Sequence, residues 1–182
     1  MQGADGQAAH RLDLRDAVAS DAAALAALNA ASWRAAYAHI LPTTLLAALD
    51  VAAWEERLRG RIAEAAASRF TLVAWAGRRR LGLVSGGPLR NEPSAAGGEV
   101  YAIYVDPEHC GRGVGSALLA AAEARLARGG FSRAALWVFA RNQTARRFYE
   151  RRGWRLESGR TYWQRDGLRR QLACYSRSLA PE

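Results

Sequence analysis

The chain has 182 residues, half of them hydrophobic and 24% charged, enough apolar material for a sizeable core and too much for wholesale disorder. No apolar run approaches the ~20 residues that span a bilayer, and two cysteines, Cys110 and Cys174, are too few for a disulfide framework or a metal knuckle. The net charge of +9 comes from arginine alone, because the sequence contains no lysine. A basic chain can face nucleic acid, an acidic membrane or an anionic ligand. These arginines are scattered in short clusters without a continuous stripe or interleaved aromatics, so neither a nucleic-acid nor a membrane partner is expected.

Residues 1–11 read as a loose tail and residues 12–179 as one domain. Nothing at the start has the basic and apolar blocks of a secretory signal, and a cytoplasmic location is expected. Residues 12–14 suit a short strand. Ser20 is a plausible N-cap for a helix to about Tyr37 with Leu25, Leu28 and Ser32 on one face. Pro42 suits a second helix start and Asp50 the cap of a third. On that third helix Trp54, Leu58 and Ile62 form a stripe expected to be core.

The period then changes. Residues 70–75 and 81–85 flank the turn 77–80 as a hairpin, residues 91–98 read as a loop, and residues 99–105 as a β-branched and aromatic strand. A glycine-rich turn leads to a helix over 116–127, stopped at Gly129 and Gly130. A strand at 134–139 precedes a helix opened by Asn142 and closed by Gly153. Asp166 and Gly167 signal a hairpin joining two final strands. Antiparallel hairpins around one βαβ unit predict an α/β fold, a mixed, mostly antiparallel sheet with helices on both faces.

The turn Cys110-Gly-Arg-Gly-Val-Gly-Ser116 lies between a strand and a helix, where grouped backbone N–H donors and the helix N-terminus favour an anion such as a pyrophosphate. Its glycines let the backbone approach a ligand closely. It is neither a Walker loop nor GxGxxG. With Val105 through Leu119 around it, the segment resembles the acetyl-CoA motif of the GNAT superfamily of N-acetyltransferases, with Cys110 at a position usually Gln or Arg and Arg112 at the commonly basic one. A second block, Asn142-Gln-Thr-Ala-Arg-Arg-Phe-Tyr-Glu-Arg-Arg-Gly-Trp154, resembles the family pattern N-x-x-A-x-x-F-Y-x-x-x-G-F with Trp154 for the final Phe. Ser32 through Pro42 is similar to the first-helix signature of a bacterial subgroup whose members mostly lack an assigned substrate.

The resemblance implies a GNAT fold and acetyl-CoA as co-substrate, and no metal is expected, because no His/Cys/carboxylate spacing suggests one. It implies cofactor contacts from Gly111, Arg112, Gly113, Val114, Gly115 and Ser116, from the backbone of Ile103, Tyr104 and Val105, and from Asn142 and Tyr149. In relatives a bulge in the strand before the turn frees its backbone for pantetheine. Trp33 and Tyr37 resemble acceptor-side residues of the subgroup.

The implied chemistry sets its own demands. An amine of pKa near 10.4 is mostly protonated at pH 7, and deprotonating it costs about 4–5 kcal/mol, so a base helps. Glu99 is the candidate: it lies six residues before Val105, where the resemblance implies the base glutamate of the histone-acetylating branch of the family, and by simple alternation shares a strand face with Tyr101, Ile103 and Val105. The leaving thiolate gains from a proton donor. Tyr149 is that candidate: it is protonated at pH 7 and, seven residues after Asn142, matches the tyrosine that the resemblance implies lies at the CoA sulfur. The expected activity is transfer of an acetyl group from acetyl-CoA to a primary amine of a small molecule or peptide by direct attack. A non-catalytic acyl-CoA-binding or sensing module is the rival reading, and a homodimer is left open.

Overall fold

The change of hydrophobic period along the chain becomes one sheet covered by helices on both faces. The computed structural model describes residues 12–64, 69–90, 97–159 and 161–179. Strand β1 (Asp13–Asp16) leads through a 3-10 turn to α1 (Ala22–Tyr37), α2 (Thr43–Ala47) and α3 (Val51–Ala63). Strands β2 (Phe70–Ala76), β3 (Arg79–Pro88) and β4 (Gly97–Val105) follow, then α4 (Val114–Arg128), β5 (Arg133–Phe139) and α5 (Gln143–Glu150). The chain returns through β6 (Arg155–Leu156), β7 (Thr161–Arg165) and β8 (Leu168–Ser178). The strand order is β1-β2-β3-β4-β5-β8-β6, with β7 also on β8; β4 with β5 is the parallel pair and the others are antiparallel.

Leu118, Leu119, Ala122 and Leu126 of α4 pack with Tyr149 of α5 onto Val84, Val100 and Leu136 on one face of the sheet. On the other face Leu25 and Ala26 of α1 and Leu58 of α3 pack onto Val73 and Leu83. The mixed sheet with helices on both faces is thus as expected. Asp50 caps α3, its carboxylate accepting from the N–H of Ala53 at 2.9 Å. The β7–β8 turn carries Asp166 and Gly167 at φ 49° and 75°, the conformation that a two-residue hairpin turn requires.

Two local expectations change. Ser20 lies within the 3-10 turn instead of capping α1, and Asp21 is the residue drawn inward: its carboxylate accepts from the N–H of Val18 at 2.9 Å and pairs with Arg80. Gly97 and Gly98, expected in a loop, begin β4; residues 91–96 of that expected loop lie outside the described residues. A Cβ on Gly98 would stand 2.8 Å from Leu126 and one on Gly97 2.6 Å from Leu89. These glycines serve close packing, not a turn.

The feature that shapes the site is a β-bulge. Consecutive residues Ser85 and Gly86 of β3 face Ala102 and Val100 of β4, so Tyr101 is an extra residue. The bulge breaks the simple alternation. Val100, Ile103 and Val105 all face the α4 core, whereas Ala102 and Tyr104 face the α1–α3 side, where they line a cleft. Glu99, next to Val100, is therefore on the face opposite Ile103 and Val105, a correction to period-two reading.

Downstream of the bulge the sheet opens. β4 pairs with β5 only from Gly97 to Val100, against Arg133 to Leu136. Beyond those four pairs β4 continues with β3 and β5 with β8, and the two halves diverge.

Candidate functional site

The split ends at the glycine turn. Asp106 caps a 3-10 turn (Pro107–His109) through a 3.1 Å bond from the N–H of Glu108. Gly111 and Gly113 then adopt φ 77° and 85°, with open space around the position of a Cβ. Left-handed backbone is what turns the chain tightly enough to start α4 at Val114, two residues earlier than the sequence suggested. Arg112 is exposed on this turn and Val114 is buried beneath it. Ser116, in the first turn of α4, is bonded by the guanidinium of Arg152, which also lies over the Phe148 ring. A Cβ on Gly115 would meet Phe148 at an ordinary 3.5 Å. The arrangement offers an anion the unpaired N–H groups of a helix start.

Across the split, Asn142 caps α5, its side-chain oxygen accepting from the N–H of Ala145 at 3.1 Å. Two turns of helix later Tyr149 is buried against Phe148, Trp154 and Tyr175. Burial, with the nearby Tyr104 phenol, pushes the Tyr149 hydroxyl well above the usual tyrosine range, so it is held protonated. Tyr37 feels both Tyr104 and Tyr149, and its hydroxyl is raised too, chiefly by burial. Three phenols from α1, β4 and α5 thus converge where the sheet divides.

The main chain of β4 is divided between two neighbours. Asp106 donates to Leu81 at 2.8 Å, so antiparallel alternation turns Tyr104 toward β3 and Ile103 and Val105 away from it. The Val105 carbonyl accepts from Ser32 of α1 at 2.8 Å. Tyr104 contributes its side chain instead. Its hydroxyl accepts from the Trp33 indole N–H at 2.8 Å, and burial raises its pKa.

Trp33 opens the second half of the site. A cleft of about 200 Å³ is bounded by Asn29 and Trp33 of α1, by Trp54, Arg57 and Arg61 of α3, by Ala102 and Tyr104 of β4 and by Trp163 and Arg165 of β7. Trp33 meets Trp54 and Tyr37 edge to face at 5.3 and 5.0 Å, and Tyr37 packs on Phe139 at 4.9 Å. Trp54 is therefore a wall of the cleft as well as part of the helix stripe, whereas Leu58 is core. The sequence reading found Trp33 and Tyr37 but not the α3 and β7 arginines, which carry no motif and are brought together only by the fold.

Glu99 is buried, 2% exposed, at the paired end of the split. Both carboxylate oxygens are engaged by Arg90, Oε1 by its guanidinium and Oε2 by its backbone N–H at 3.1 Å. Arg90 also lies 4.8 Å over the ring of Tyr101, whose hydroxyl donates to Pro88 at 2.5 Å. Ser85, on the same face two residues before the glycine opposite Glu99, has a buried hydroxyl without a partner among the described residues.

Cys110 is exposed at the glycine turn, and partial desolvation with the neighbouring Asp106 raises its thiol pKa, so it is no activated nucleophile. Among the described residues Asp106, Glu108 and His109 offer ligand atoms within 4.8 Å of one another. Arg79 reaches both carboxylates, at 4.0 and 3.5 Å, and His109 lies 3.1 Å from Asp106. This is an ion-pair cluster that braces the turn. No described helix is long and apolar enough to cross a membrane.

The acetyltransferase (GNAT) family model matches residues 30–154, which run from α1 through both motifs to Trp154. An uncharacterised N-acetyltransferase of Bacillus subtilis, YuaI, is 32% identical over 130 residues, covering 71% of this chain and 72% of the relative. The fold is similar to that of the PaiA N-acetyltransferase of Thermoplasma acidophilum solved in complex with coenzyme A, with a TM-score of 0.74 and 21% identity over 89% of this chain and 97% of that one. It is also similar to yncA of Salmonella typhimurium, solved with its cofactor acetyl-CoA, with a TM-score of 0.68 and 19% identity over 94% and 95% of the two chains. A turn shaped for an anion, a sheet split behind it and a family match spanning both give one conclusion: the chain belongs to the GNAT family of acetyltransferases.

Proposed function

We propose that this protein transfers an acetyl group from acetyl-CoA to a primary amine by direct attack. The observation that carries the reading is the convergence of the glycine turn, the divided β4–β5 edge and the buried Tyr149 phenol. The pyrophosphate is held by the backbone of Gly111, Gly113 and Gly115 and the start of α4, with Arg112 and Ser116 at its flank. Pantetheine lies along the edge of β4 that turns away from β3, taking main-chain groups of Ile103 and Val105, with Asn142 on the opposite wall. That places the thioester between Tyr149 and the aromatic cleft.

The chain's own groups divide the proton traffic. Tyr149, which its raised pKa keeps protonated at neutral pH between turnovers, donates to the departing thiolate and regains a proton from the one that the acceptor gives up. Glu99 receives the acceptor's proton. Because Arg90 already occupies both of its oxygens, the proton arrives through a water rather than from the amine itself, and the unpartnered Ser85 hydroxyl on the same face is suited to hold that water. Trp33 and Tyr104 border the acceptor, while Tyr37 backs Trp33.

The test is Tyr149→Phe, which keeps the packing against Trp154 and Tyr175 and removes only the hydroxyl. We expect kcat to fall about 10²-fold while the Kd for acetyl-CoA changes less than about threefold. The wild-type rate should rise with pH as the acceptor deprotonates and should not decline before pH ~10, the ordinary tyrosine pKa, because the Tyr149 value lies above it. Unchanged turnover in Tyr149→Phe would remove Tyr149 from the acid role. Tight acetyl-CoA binding without thiol release for any amine would support the sensing module instead.

A further inference from the structure

Resting on that acetyl-transfer reading, we propose that the acceptor is a small amine that also carries a carboxylate, held by Arg57, Arg61 and Arg165 in the cleft beside Trp33. Arg57 and Arg61 are four residues apart on α3, hence on one face of the helix, and both line the cleft. Between them Arg59 points elsewhere and takes the nearby carboxylates of Glu55 and Glu56. Among the described residues, the two cleft arginines are left without an acidic partner. Arg165 adds a third guanidinium from β7, tied among the described residues only to its neighbour Asp166, at 3.3 Å. Three uncompensated or weakly compensated guanidiniums around one opening form an anion site, and their planar forks match a carboxylate.

A second observation identifies the other end of the ligand. Asn29 sits one helical turn before Trp33 at the same opening, and its side-chain oxygen is buried without a partner among the described residues. That oxygen accepts, so it suits an N–H of the amine, whereas the guanidiniums only donate. The cleft therefore offers one acceptor and three cationic donors, with Trp33, Trp54 and Trp163 covering an apolar body between them. At about 200 Å³ it holds on the order of six waters at ~30 Å³ each, the scale of an amino acid. Arg61 is exposed along part of its length, yet burial and then the like charges of Arg57 and Arg90 lower its pKa. Those charges repel one another until an anion enters. The same field opposes a polyamine, which would bring further positive charge among the guanidiniums.

The experiment is thiol release from acetyl-CoA by the purified protein with 4-aminobutyrate, butylamine and 1,4-diaminobutane, and with phenylalanine against phenethylamine, at fixed ionic strength. The carboxylate-bearing member of each set should have the higher kcat/KM by about tenfold or more, the usual worth of a hydrogen bond to a charged group. Arg61→Gln should raise the KM for that member by a similar factor, with the KM for acetyl-CoA reporting that the fold is intact. The Arg57→Glu, Arg61→Glu double variant should shift preference toward 1,4-diaminobutane. Preference of the wild type for butylamine or 1,4-diaminobutane, or an unaltered ranking in the variants, would overturn the proposal. If no amine releases thiol, the transferase reading fails by itself. Titration of the CoA-bound protein with 4-aminobutyrate against butylamine then decides the anion site: selective binding that Arg61→Gln abolishes supports it, and equal or absent binding overturns it.

Discussion

The two sides of the divided sheet are built on different principles. On the proposed cofactor side the available donors are backbone: a left-handed turn at Gly111 and Gly113, the start of α4 and the edge of β4 beyond its pairing with β5. On the proposed acceptor side they are side chains from α1, α3 and β7, elements far apart in sequence. Backbone recognition needs particular residues at fixed spacing because only they permit the conformation. Side-chain recognition needs only that some suitable group arrive, and the fold can bring it from many positions. The first therefore leaves a motif and the second leaves none.

The largest expected effect attacks the backbone side. Gly113→Glu places a side chain at φ 85°, a conformation that costs an ordinary residue roughly 1–2 kcal/mol, and sets a carboxylate facing the pyrophosphate. Calorimetric titration should give at least a 100-fold weaker acetyl-CoA affinity in a protein that still melts cooperatively. An affinity within tenfold of wild type would mean that the turn is not the phosphate cradle, and the contrast between the two sides would collapse.

An intermediate effect probes where the sides meet. Glu99→Gln keeps the shape of a side chain held by Arg90 but removes the proton acceptor. Turnover should fall about 10²-fold, most at low pH, where the amine is hardest to deprotonate, with the Kd for acetyl-CoA retained. A pH profile parallel to wild type would assign Glu99 to holding Arg90 alone. The smallest effect is Asn142→Ala. Loss of the cap on α5 should lower stability by about 1 kcal/mol, read from a denaturant midpoint. A larger loss of acetyl-CoA affinity than of stability would give Asn142 a second role as a cofactor contact.

The same contrast explains how far the sequence could be read. The hairpins, the βαβ unit and the Asp50 and Asn142 caps were legible because each rests on local chemistry. Glu99 and Tyr149 could be named, but the surroundings of Glu99 could not. Its Arg90 clamp depends on how two strands meet, and its face depends on one inserted residue, Tyr101, that no periodicity marks. Gly97 and Gly98 misled for a similar reason, since glycine as a turn former and glycine as a packing gap have the same letter. Arg57, Arg61 and Arg165 were invisible among many arginines, because neither spacing nor neighbours distinguish a guanidinium that lines a cleft from one in solvent.

The short join between β4 and β5 has a mechanical consequence. Two half-sheets meet through four residue pairs, Gly97 to Val100 against Arg133 to Leu136, and through helices on either face. Without cofactor, this seam is where cooperative units of the fold can separate at less than the cost of global unfolding. A ligand lying in the gap behaves as a supplementary strand, and by linkage it contributes about 2.7 kcal/mol at a hundred times its Kd. Amide protons flanking the seam should therefore exchange more slowly in acetyl-CoA, while those at the distant β1–β2 edge should barely respond.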